Sequence, residues 1–157
     1  MNSAIAEAFT QAGAFAAIGF AAMGSALGTG AGGAAAIGAW KKCYAQDRPA
    51  PFQLTVFAGA PLSQTIYGLV LMIVMSGKVA TSATAYWPAY LMIGITGGIA
   101  MGMSAWMQGR AAAGACDAFA ETGKGFTNFL IALGIIETVA IFVLALSIVL
   151  LAGVGAS

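Results

Sequence analysis

Histidine is absent, and the 157 residues carry only six Lys or Arg and five Asp or Glu. The missing imidazole removes the commonest general base and the commonest metal ligand. The scarcity of charge excludes more. Charged residues make up 7% of the chain, against about 25% in an ordinary soluble domain, too few to coat a surface facing water. A nucleic-acid binder needs a basic face, and six cations spread along the chain at a net charge of +1 cannot make one. The two cysteines, Cys43 and Cys116, lie far apart with no zinc-type spacing, and are expected to be buried, inert thiols. No phosphate-binding Gly-x-x-x-x-Gly-Lys-Ser/Thr motif occurs; Gly123-Lys124-Gly125 has no strand before it and reads as a loop. Residues 1–11 contain no base, only Glu7, so no cleaved secretory signal is expected.

What is present is apolar: 61% of the residues are hydrophobic, which places the chain in a membrane. The few charges punctuate it. Uncharged gaps of 33, 29 and 31 residues separate Glu7 from Lys41, Arg48 from Lys78 and Lys78 from Arg110, and beyond Lys124 the only charge is Glu137. A spanning helix needs about 20 apolar residues, so each gap holds one. The expected fold is all-α, with four transmembrane helices near 11–40, 52–77, 85–116 and 126–153. Barrel strands would instead show alternating segments of about ten residues. Basic loops stay cytoplasmic. Lys41, Lys42 and Arg48 in loop 1–2, with Arg110 and Lys124 flanking loop 3–4, therefore predict cytoplasmic loops there and termini outside. Trp40, Tyr86, Trp87 and Tyr90 fall at span ends and suit interfacial aromatic belts.

The chain also repeats itself. Ser25-Ala26-Leu27-Gly28-Thr29-Gly30 resembles Ser104-Ala105-Trp106-Met107-Gln108-Gly109, each followed by small residues. Spans 2 and 4 align loosely, with Gln64 against Glu137. A duplicated helical hairpin follows, 1–78 and 79–157. Gly24, Gly28 and Gly32, and Gly94, Gly98 and Gly102, recur every four residues. Such stripes let backbones approach closely. They suggest an inner layer of tightly packed helices in a ring of subunits, although packing within one chain would use the same stripe.

Glu137 lies midway through span 4. A charge at the bilayer centre costs about 3 kcal/mol on insertion scales, and no Lys or Arg lies deep in any span to offset it. Its carboxylate must be protonated, meet a cation or meet a base from another subunit. Ala60, Ser63, Gln64 and Tyr67 share one face of span 2, and their polar groups need partners in lipid. Pro61 loosens the turn that holds the Ala60 carbonyl. Gln108 adds an amide from span 3. A carboxylate, two amides, a hydroxyl and a backbone carbonyl form an all-oxygen set of the kind hard cations prefer. A proton needs fewer groups, which favours Na⁺ over H⁺. Tyr67 is placed to hold the carboxylate, as outer-sphere groups do.

At these residues the chain resembles the proteolipid (K or c) subunit of V-type rotary ATPases, in particular the bacterial sodium-pumping branch. The resemblance is carried by Pro61-Leu62-Ser63-Gln64-Thr65-Ile66-Tyr67-Gly68, Met107-Gln108-Gly109-Arg110 and Ile136-Glu137-Thr138. It implies a ring of identical subunits in a prokaryotic plasma membrane, each a non-catalytic, ion-translocating part of the complex. Na⁺ (alternatively H⁺) would be bound by Glu137, Gln64, Gln108, Ser63 and the Ala60 carbonyl, with Tyr67 bonded to the glutamate and no organic cofactor. Implied partners are lipid, a stator subunit bearing a basic residue, and central-stalk subunits at loops 1–2 and 3–4. The family pattern usually has Thr in place of Ser63 and a bulkier residue in place of Ala60. Rival expectations are a small four-helix secondary transporter and a purely structural scaffold.

Overall fold

A computed structural model describes residues 2–154, with the side chains of 79–84 excluded. Helix α1 runs Ser3–Ala45 and begins at Asn2, whose side chain accepts the Ala4 N–H. A short helix α2, Leu54–Gly59, leads through a single 3₁₀ turn at Ala60–Leu62 into α3, Ser63–Thr122. Helix α3 is two spans joined across a break at Tyr86 (φ −116°, ψ 15°). Pro88 explains the break. It has no N–H to offer, and its ring crowds the preceding turn. Helix α4 runs Phe126–Gly153. Among the described residues, four helical stretches are therefore long and apolar enough to cross a membrane: Ser3–Ala45, Leu54–Lys78, Ala85–Thr122 and Phe126–Gly153.

These helices overrun the expected spans, α1 at both ends and the third at its far end. Hydrocarbon about 30 Å thick takes up only about 20 residues, whereas 43 residues of α1 rise about 65 Å. The helical ladder does not stop at the hydrocarbon boundary, because the helix satisfies its own backbone wherever it lies. Between α3 and α4 the chain reverses at Gly123 and Gly125, both left-handed (φ 64° and 86°), a conformation that glycine adopts without penalty. Gly123-Lys124-Gly125 is thus the loop that the sequence indicates.

Helix α1 lies against the second and third spans, and the glycine stripes make this possible. Gly24 packs on Gly102, Gly94 on Gly13 and Gly98 on Ala16 and Ala17, while Gly28 packs on Ala105 and Pro61, and Gly32 on Ala58. A Cβ at Gly98 would stand 2.6 Å from the Ala16 carbonyl oxygen. The sequence left two uses open for these six glycines, packing around a ring and packing within one chain. Within the chain they bring the first and third spans, which carry the two stripes, into close backbone contact.

Two apolar clusters fill the interior. One contains Ala17, Leu71, Met75, Tyr90, Met101 and Ala140. The other, toward loops 1–2 and 3–4, contains Ala36, Leu54, Phe57, Cys116, Phe119 and Leu133. In the second, the Phe57 ring lies 5.9 Å from Phe119, 5.3 Å from Phe126 and 6.0 Å from Phe129. Tyr90 is completely buried in the first cluster, packed among apolar side chains, which corrects its assignment to an aromatic belt. Trp40 is also tied down, donating Nε1–H to the Pro51 carbonyl at 2.8 Å. Cys43 and Cys116 are free and buried, as expected. Lys42 and Glu121 form an exposed ion pair linking the loop-side ends of the first and third spans; a pair so exposed adds little stability.

Gly24→Ala should destabilise the subunit by about 1–3 kcal/mol, the cost of forcing a group into a filled contact. Gly38→Ala, where an added Cβ meets nothing within 4 Å, should be neutral or slightly stabilising. Thermal unfolding of the detergent-solubilised protein checks both.

Candidate functional site

Between the two apolar clusters lies a polar layer contributed by three spans. It begins where Pro61 interrupts span 2. Pro61 has no N–H, so the ladder is rearranged over one 3₁₀ turn, in which the Ser63 N–H bonds back to the Ala60 carbonyl. The Ser63 hydroxyl reaches the same carbonyl at 3.1 Å and lies 3.2 Å from Gln64 Oε1. The Ala60 carbonyl is thus drawn to the side of the helix that carries Ser63 and Gln64.

Gln64 and Gln108 are both completely buried, where an unpartnered amide would be costly. They satisfy each other and their surroundings. Gln64 Nε2 donates to Gln108 Oε1 at 2.8 Å. Gln108 Nε2 donates to the Leu133 carbonyl at 3.0 Å and to Glu137 Oε2 at 3.1 Å. Both amide orientations follow from these partners.

Glu137 is half-buried on α4. Its second oxygen, Oε1, accepts the Tyr67 hydroxyl at 2.5 Å, a short bond of the kind expected when an O–H meets a carboxylate. One donor therefore comes from span 2 and the other from span 3. The neighbours of Glu137 on α4, Ile135, Thr138 and Val139, face outward, so the acid lies where the interior meets the apolar outer face.

All six residues predicted for the site, Ala60, Ser63, Gln64, Tyr67, Gln108 and Glu137, fall in this one connected network. One member was missed. Ser104, 6% exposed, donates to the Ile136 carbonyl at 2.9 Å and accepts from Gln64 Nε2 at 3.5 Å. The signal was available in the repeat, which opens on Ser25 in one copy and Ser104 in the other. Ser25 Oγ, by contrast, is buried without a hydrogen-bond partner.

Chemically, the layer offers oxygen from a carboxylate, a hydroxyl, two amides and a main-chain carbonyl within an apolar surround. It can hold a cation or a proton. Among the described residues, no cluster of His, Cys, Asp and Glu could hold a transition metal.

Residues 91–150 match the family model that describes the C subunit of ATP synthase. Members of that family are non-catalytic, ion-translocating rotor subunits that assemble as rings. The matched stretch contains Ser104, Gln108 and Glu137 but stops short of the span 2 residues. No curated protein matches the chain.

Gln108→Leu should leave the Leu133 carbonyl, Glu137 Oε2 and Gln64 Nε2 each short of a partner. The expected loss is about 1–3 kcal/mol for each group that stays buried and unpaired. A lowered unfolding temperature in detergent, exceeding that of an exposed Gln53→Leu control, checks it.

Proposed function

We propose that this chain is the proteolipid of a V-type rotary ATPase of the sodium-pumping kind, and that Glu137 binds Na⁺ and carries it across the membrane. The supporting observation is the network joining Glu137 on α4 to two other spans, with Tyr67 and Gln108 on its two oxygens. The similarity of residues 91–150 to the ATP synthase rotor proteolipid supports a rotor-ring role.

In this mechanism identical subunits form a ring. An ion enters from a stator subunit and binds Glu137, together with oxygens of Ser63, Gln64 and Gln108 and the Ala60 carbonyl. Binding neutralises the carboxylate. The site can then face lipid as the ring turns, because the cost of a bare charge, about 3 kcal/mol or more, is removed. A basic residue on the stator displaces the ion at the exit. Torque reaches the ring through loops 1–2 and 3–4, which face the cytoplasm by the positive-inside rule. Gln64 occupies the position in the first hairpin that matches Glu137 and cannot ionise, so four helices carry one ion. A low ratio of ions to helices gives more energy per ion and suits pumping against a steep gradient.

The all-oxygen layer favours Na⁺. A proton needs only Glu137 and one partner, whereas five groups suit a hard cation. Carbodiimide modification of Glu137 in membranes should be blocked by Na⁺ at neutral pH. If protection follows pH alone, the ion is H⁺. Glu137→Gln should abolish transport while the ring, a large multiple of the 15.7 kDa chain, still assembles in mild detergent. Undiminished transport would remove the carrier role altogether, and a monomer or dimer would point to a small secondary transporter.

A further inference from the structure

Ser104, like Tyr67, offers no oxygen to the ion in this mechanism, yet it is almost fully buried and bonded on both sides. Its hydroxyl is donated to the Ile136 carbonyl at 2.9 Å, the peptide unit immediately before Glu137. Its lone pair receives Gln64 Nε2 at 3.5 Å. A serine within a helix commonly turns its hydroxyl back onto the carbonyl four residues earlier. Thr96 and Thr10 do so, bonding the carbonyls of Met92 and Ala6. Ser104 instead reaches across to another span.

Two consequences follow. The bond to the Ile136 carbonyl ties the backbone of α4 to span 3 next to the acid, and so limits how far Glu137 can shift or rotate about the α4 axis. The approach of Gln64 Nε2 gives its second N–H a direction. With one N–H on Gln108 and the other toward Ser104, Gln64 Oε1 is turned toward Ser63 and the Ala60 carbonyl. An amide free to flip would present N–H rather than oxygen to a cation.

We propose that Ser104 is a positioning residue of the ion site. Through Gln64 and the Ile136 peptide it sets the geometry in which the carrier oxygens face the ion, without touching the ion itself. This rests on the reading of Glu137 as the carrier. Outer-sphere partners of this kind change ion affinity by about 10–100-fold when removed. They leave the maximal rate intact, because the loaded site still carries one neutralised carboxylate.

The test uses membranes holding the whole complex. Carbodiimide labelling of Glu137 is measured against Na⁺ at fixed pH, and against pH without Na⁺, so that wild type defines which ion protects. Ser104→Ala should raise the half-protecting concentration of that ion, and the concentration for half-maximal transport, about tenfold at unchanged maximal rate. Ser104→Thr keeps the hydroxyl and should return both to within about threefold of wild type. The proposal is overturned if Ser104→Ala matches wild type or is no worse than Ser104→Thr. It is equally overturned if Ser104→Ala loses maximal rate or protein yield while half-saturation stays put, as a packing role predicts. Failure of the carrier reading is distinguishable, because Glu137→Gln would then go on transporting.

Discussion

A carboxylate within hydrocarbon has to be solvated by the protein, and the arrangement of this molecule follows from that constraint. Water is absent at that depth, and a charge there costs about 3 kcal/mol even by the lenient insertion scales. The chain meets the cost with two donors from two different spans, the Tyr67 hydroxyl and the Gln108 amide. Each donor needs its own support. Gln108 is held by Leu133 and Gln64, and Gln64 by Ser63 and Ser104. Removing one partner leaves a buried polar group exposed to lipid-like surroundings, so the network acts as a unit.

Bringing three spans within hydrogen-bond distance demands close helix packing. The glycine stripes supply it. Gly24 on Gly102 and Gly28 on Ala105 and Pro61 seat α1 against the second and third spans at the level of the polar layer. The apolar clusters above and below then lock the register: Leu71, Met101 and Ala140 on one side, Phe57, Phe119 and Leu133 on the other. Helix α4, with eight large apolar side chains exposed, lies at the outer face. The acid therefore sits at an accessible edge with a rigid interior behind it. That is the placement a carrier requires: supported from inside, reachable from outside.

The two halves of the chain differ at their matching sequence positions. Ser25 and Ser104 occupy matching places, but Ser104 has partners on both sides and Ser25 has none. The acid, Glu137, stands on the fourth span, and the uncharged amide of Gln64 on the second. Gln64 on the second span supports the surroundings of Glu137 through Gln108.

Much of this was legible in the primary structure. Charge spacing marks four spans, since charge inside hydrocarbon is costly and therefore rare. The polar face Ala60, Ser63, Gln64 and Tyr67 follows from helical periodicity, and Glu137 stands out because nothing in its own span offsets it. These are local properties, set by 3.6 residues per turn and the cost of charge in hydrocarbon. The tertiary structure decided what depends on which face meets which. The glycine stripes turned out to pair within one chain, Tyr90 lies buried among apolar side chains, and Ser104 joined the network because span 3 brings it beside the Ile136 carbonyl of α4. Sequence spacing gives the face a residue occupies on its own helix. Only packing sets the rotation and depth of one helix against another, and a hydrogen bond near 3 Å requires both.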